Sequence, residues 1–119
     1  MTQPIHSDPS QVPFEIDAMS AVQLLAEQPD AVMLDCRTHE EYAIARIDRA
    51  ILIPMDEITS RSDQLEPFRD KPLIVHCHHG GRSQMVTQWL RKMGFSQARN
   101  LTGGIDAWSQ LVDNSIPRY

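Results

Sequence analysis

Short apolar runs alternate with helix-patterned stretches along nearly the whole chain, and this alternation limits the architecture more than any other property of the sequence. Phe14-Glu15-Ile16-Asp17 alternates as a short first strand. Ser20 with Gln23 makes a capping-box pattern, and Val22, Leu24 and Leu25 start a helix that Pro29 stops. Ala31-Val32-Met33-Leu34-Asp35 reads as a continuous apolar strand, followed by Cys36 and Arg37. Thr38 with Glu41 repeats the capping pattern and opens a short helix through Tyr42 and Ala45. Ala50-Ile51-Leu52-Ile53 is a third strand, closed by Pro54. The stretch 56–70 is polar with scattered Ile58, Leu65 and Phe68, as one or two short helices would be. Pro72-Leu73-Ile74-Val75-His76 is a fourth strand. Met85, Val86, Trp89, Leu90 and Met93 then recur at helical spacing ahead of Gly94. Ala98-Arg99-Asn100-Leu101 is a fifth strand, and Gly103-Gly104 precedes a last helix with Ile105, Trp108, Leu111 and Val112. Strand–helix alternation of this kind predicts an α/β fold: a single parallel β-sheet of about five strands with helices on both faces. Strands buried on both sides are near-continuously apolar, as these are. Ligands of such folds bind beyond the carboxyl ends of the strands, the edge where Arg37, Cys77 and Thr102 fall.

With 119 residues the chain makes one compact domain, expected over 14–119. Residues 1–13 carry three prolines and little apolar patterning, and are expected to be a flexible N-terminal segment. A formal charge of −5 without a basic stripe excludes nucleic acid as the expected partner. Arg37, Arg46, Arg49 and Arg82 are separate single charges, suited to a small anionic molecule. The N-terminus has no basic stretch followed by a long apolar one, and no apolar run reaches bilayer length, so neither secretion nor membrane residence is expected. Two cysteines do not make a disulfide framework; reduced thiols and a cytoplasmic setting are expected.

Cys77-His78-His79-Gly80-Gly81-Arg82-Ser83 lies between the fourth strand and an amphipathic helix. A cysteine so placed faces unpaired backbone N–H groups and the positive end of a helix dipole. Both favour thiolate over thiol, and the same N–H ring holds an anion brought to that sulfur. Gly80 and Gly81 are expected to let the backbone curl so that these groups converge.

With these residues in view the chain resembles a single-domain rhodanese from about Phe14 onward. Leu34-Asp35-Cys36-Arg37 with Glu41-Tyr42 resembles the family's first signature. The Cys77 loop resembles its active-site loop. Asn100-Leu101-Thr102-Gly103-Gly104-Ile105-Asp106-Ala107-Trp108 resembles its closing signature. The family reads Gly-His-Ile-x-Gly-Ala where this chain has Ala45-Arg46-Ile47-Asp48-Arg49-Ala50, which predicts a different turn there. The resemblance implies a sulfurtransferase without cofactor or metal. Cys77 is the catalytic nucleophile, and His78, His79, Gly80, Gly81, Arg82 and Ser83 are the substrate-binding loop. The implied partners are a small anionic sulfur donor such as thiosulfate and a thiol, cyanide or protein acceptor. Arg82 is expected to offer fixed positive charge to the donor's sulfonate end. Alternatives remain open: a protein-directed sulfur-relay or regulatory module, to which the ending through Pro117-Arg118-Tyr119 is similar in rhodanese domains fused to ubiquitin-like-protein activating enzymes; or a Cdc25-like phosphatase or arsenate reductase, whose loop is Cys-x5-Arg rather than the Cys-x4-Arg found here.

The remaining polar residues take plainer roles. Asp35 and Arg37 read as a structural pair supporting the site, with Glu41 a further partner for Arg37. Cys36 reads as core. His76, His78 and His79 alternate in direction along an extended chain and do not wrap one metal ion. His76 packs beside the sheet, while His78 and His79 either lend positive charge to the loop or face solvent. Ser83 reads as a helix cap that can also reach the persulfide. Trp89 and Trp108 read as core, and Arg46 and Arg49 as solvated charges.

Overall fold

The computed structural model describes residues 12–119. Five strands form one sheet: β1 (Glu15–Ile16), β2 (Val32–Asp35), β3 (Ile51–Leu52), β4 (Leu73–His76) and β5 (Ala98–Leu101). Their order is β1-β5-β4-β2-β3 and every pairing is parallel. The helices are α1 (Ala18–Glu27), α2 (His39–Ile44), α3 (Gly81–Lys92) and α4 (Gly104–Leu111). The α/β class and the parallel five-strand sheet are as the alternation predicts.

Side-chain alternation along the strands separates two cores. Met33, Ile74 and Leu101 face α1 and α4, meeting Ala21, Leu25, Ile105 and Trp108. Leu34, Leu73, Val75 and Ala98 face the other way, onto Val86 and Leu90 of α3 and Leu65. Burying each such side chain contributes roughly 1.5–3 kcal/mol before entropy is counted. Cys36 and Cys77 fall on the α3 side with Leu34 and Val75. Trp108 is buried, as expected, whereas Trp89 is only partly covered.

Local expectations fare differently. The first helix begins earlier, because Asp17 caps it by accepting from the Ser20 N–H at 2.8 Å, and Val22 faces outward. The stretch 56–70 forms no α-helix but two 3-10 turns, Met55–Glu57 and Ser62–Phe68, the second containing Pro67, which has no N–H to give. The Thr38–Glu41 capping box is present on both sides. In the segment that lacks the family's glycines, Ala45 is extended (φ −158°, ψ 141°), no non-glycine residue among those described has positive φ, and Arg49 donates to the Ala31 carbonyl at 3.3 Å. The expected flexible segment lies outside the described residues except for Val12 and Pro13, whose carbonyls accept from Arg91 and Arg99.

Candidate active site

The loop after β4 turns back over the strand ends and presents its amides to Cys77. Gly80 makes the turn with φ +116°, and its N–H donates to Cys77 Sγ at 3.1 Å. The Ser83 N–H lies 3.4 Å from the same sulfur, and Ser83 Oγ 3.3 Å. Burial by itself would push the Cys77 thiol up. Hydrogen bonds from Ser83 Oγ and from the amides of Ser83, Gly80 and Arg82 outweigh it and hold the thiol below its ordinary value. Gly81, expected to share in the turn, has ordinary φ and open space around it; Gly80 alone needs to be glycine there.

Ser83 is not the helix cap. Gly80 occupies that position without a side-chain cap, and Ser83 sits one turn in, buried, with its hydroxyl between Cys77 and Asn100 Oδ1, the latter at 2.5 Å. Asn100 Nδ2 donates to the Gly80 carbonyl at 3.2 Å and to both Glu15 oxygens at 3.2 and 3.0 Å. With two acceptor groups facing Nδ2, one amide orientation is fixed, and the Ser83 hydroxyl faces an acceptor. The loop's carbonyls are held as well: Ile105 N–H donates to Cys77 O at 2.9 Å and Asp106 N–H to His78 O at 3.1 Å, both from the first turn of α4. A Cβ on Gly104 (φ +60°) would collide with those same carbonyls. The closing glycine motif therefore does more than shape the last helix; it fits α4 against the loop.

Arg82 does not stand free. Its guanidinium takes Glu41 in a two-pronged pair, Nη1–Oε1 2.6 Å and Nη2–Oε2 2.9 Å. The Glu41 carboxylate thus goes to Arg82 and not to Arg37, which reaches only the Glu41 backbone carbonyl at 3.3 Å. Arg82 first, with Tyr119 helping against partial burial, brings the Glu41 carboxyl down to about 2. Tyr119, which no local sequence pattern marked, lies over this corner. Its hydroxyl donates to Glu41 Oε2 at 2.8 Å and accepts from Arg37 Nη1 at 2.8 Å, and its ring stacks on His78 with centroids 3.9 Å apart.

Asp35 and Arg37 form the expected pair. Both are fully buried, joined at 2.6 Å, and Arg37 also donates to the Ala45 carbonyl at 2.6 Å. Burial would raise the Asp35 carboxyl, but His76 and Arg37 hold it well below the usual carboxylate range. His76 is fully buried beside the sheet, with Nε2 3.5 Å from Asp35 Oδ2. His78 lends no fixed charge: partial burial and then His79 push it down. His79 is exposed, 3.9 Å from Asp106. Cys36 is a free, buried thiol beside Cys77, and burial, with the neighbouring Cys77 charge second, pushes it up. It behaves as core, as expected.

This arrangement gathers hydrogen-bond donors around one cysteine sulfur at the carboxyl edge of the sheet. A sulfurtransferase of Allochromatium vinosum is 34% identical over 96 residues, covering 81% of this chain and 88% of its own length. The adenylyltransferase and sulfurtransferase UBA4 of Meyerozyma guilliermondii is 33% identical over 76% of this chain, but the chain spans only 23% of that longer protein. A rhodanese-like domain protein from Staphylococcus aureus superposes with a TM-score of 0.75 at 29% identity, covering 90% of this chain and 99% of that one. The family model of the rhodanese-like domain matches residues 18–111, from the start of α1 to the end of α4, and with the loop and the parallel sheet built around it this chain belongs to the rhodanese-like domain family.

Proposed function

We propose that the protein is a sulfurtransferase that carries sulfane sulfur as a persulfide on Cys77. The observation that carries this reading is the set of three donors, from Gly80 and Ser83, converging on one sulfur at 3.1–3.4 Å. In the first step the Cys77 thiolate attacks the outer sulfur of a sulfane donor. With thiosulfate the donor's S–S bond breaks, sulfite leaves, and the new S–S bond leaves Cys77–S–S⁻. In the second step a thiophilic acceptor (cyanide, a thiol or a protein group) attacks the terminal sulfur and Cys77 returns as thiolate. The terminal sulfur bears negative charge, which the loop amides are placed to receive, the logic of an oxyanion hole applied to sulfur. Cys77 is 1% exposed, which favours a single-atom reacting group over a bulky one. Asp35 and Arg37 hold the strand end from below, and His78, His79, Gly80, Gly81, Arg82 and Ser83 form the wall a substrate meets.

A second reading, a relay that hands the sulfur to another protein, is favoured by one observation: matches to the much longer proteins named adenylyltransferase and sulfurtransferase UBA4. Intact-protein mass separates carrier from non-carrier. Incubation with a sulfane donor should add one sulfur atom, cyanide should remove it, and Cys77→Ser should never gain it. A folded wild-type protein that gains no sulfur from any sulfane donor overturns the reading.

A further inference from the structure

Three guanidiniums lie around the loop, and each is matched by a carboxylate. Arg37 is locked to Asp35 with both side chains fully buried. Arg118 pairs with Asp106 at 2.9 Å. Arg82 is held by both oxygens of Glu41, and Glu41 is held in turn by the Tyr119 hydroxyl and by the capping box at Thr38. The mouth of the site therefore offers converging amides but little net positive charge.

The charge of the first step makes this consequential. Thiolate meeting thiosulfate brings three negative charges together, and they leave as Cys77–S–S⁻ and a sulfite dianion. Thiolate meeting an organic hydropersulfide in its protonated form, R–S–SH, with an uncharged R group brings one. Cys77 Sγ attacks the terminal sulfur, the donor's S–S bond breaks, the proton ends on R–SH, and Cys77–S–S⁻ keeps the single charge. A hollow of about 330 Å³ beside the site is lined by Cys36, Arg37, Thr38, Pro54, Met55, Asp56 and Arg82. With Arg37 already paired to Asp35 and Arg82 to Glu41, it offers apolar surface to an organic R group and a carboxylate, Asp56, that opposes a dianion. Thiosulfate has no R group to place there.

We propose that Glu41 is a specificity-determining residue: by occupying Arg82 it turns the site away from dianionic donors and toward an organic hydropersulfide. This rests on the sulfur-carrier reading and names its donor class. Glu41 acts through Arg82 and does not itself touch the reacting sulfur.

Glu41→Gln tests it, because glutamine serves the capping box at this position as well as glutamate does. Loading of Cys77 is timed by intact mass with thiosulfate, with benzyl hydropersulfide, whose R group carries no charge, and with a persulfidated protein, the last two separating small-molecule from protein-borne R groups. In the wild type a hydropersulfide should load faster than thiosulfate. Glu41→Gln should shift the thiosulfate-to-persulfide rate ratio toward thiosulfate by about fivefold, the effect of one partly exposed charge. The ratio of iodoacetate to iodoacetamide alkylation at Cys77 reads the same charge without turnover and should rise in the same direction. The proposal is overturned if neither ratio moves, if either moves the opposite way, or if wild type prefers thiosulfate. Failure of every donor to load the wild type instead overturns the carrier reading beneath it.

Discussion

Ser83→Ala removes one of the donors that hold the Cys77 sulfur and leaves the others in place. The hydroxyl has a single proton for two acceptors, Asn100 Oδ1 at 2.5 Å and Sγ at 3.3 Å. A hydrogen bond to a charged acceptor contributes about 1.5–3 kcal/mol. The long sulfur contact and the competing amide reduce that here to about 1 kcal/mol, so the titration midpoint of Cys77 should rise by just under one pH unit. The sign follows from the chemistry: losing a donor to the anion favours the thiol. The rate of iodoacetamide alkylation against pH gives the midpoint directly, with thiolate absorbance as a second reading. Activity of the variant should be depressed most at low pH and recover as pH rises through the new midpoint. Asn100 Oδ1 loses its donor as well, so a small drop in thermal stability should accompany the shift. An unmoved midpoint in a folded variant would refute the argument that this hydroxyl supports the thiolate.

Other expectations follow from the same contacts. Asp35→Asn leaves Arg37 charged in a fully buried position and should cost about 3–5 kcal/mol in urea unfolding. The Asp35 carboxyl is lower in the folded than in the unfolded state. Its contribution is therefore complete above the unfolded value and is lost as pH falls through the folded one, so Asp35→Asn should flatten the acid side of the stability curve. Gly104→Ala sets a methyl against the Cys77 and His78 carbonyls at positive φ and should destabilise by roughly 3 kcal/mol, whereas Gly81→Ala, with open space and ordinary φ, should be neutral or stabilise by up to about 1 kcal/mol in thermal melts.

Much of the loop's geometry is legible in the sequence. A cysteine at a strand end, a glycine turn and a following helix imply amides aimed at sulfur, because helix geometry leaves its first N–H groups unpaired. The Asp35–Arg37 pair could be read because its members are two residues apart and point the same way along the strand. The errors share one cause. Sequence proximity pairs Glu41 with Arg37, but its carboxylate meets Arg82, 41 positions away. Serine ahead of a helical run suggests a cap at Ser83, yet Gly80 in the αL conformation takes that place and Ser83 lies buried within the helix. Asn100, Glu15 and Tyr119 give no local signal of a role at the site, since the contacts that tie them into it span 17 to 85 positions.

Periodicity and end-capping patterns were enough to determine the α/β class, the parallel sheet and a cysteine set beneath helix-start amides, since all three follow from geometry repeated over a few neighbouring residues. Chain folding alone decided which charges meet: that Arg82 is neutralised by Glu41, that Tyr119 closes over His78, and that α4 braces the loop through Gly104. Those contacts depend on how the crossovers bring distant strand ends to one edge, and no spacing within the chain encodes the resulting distances.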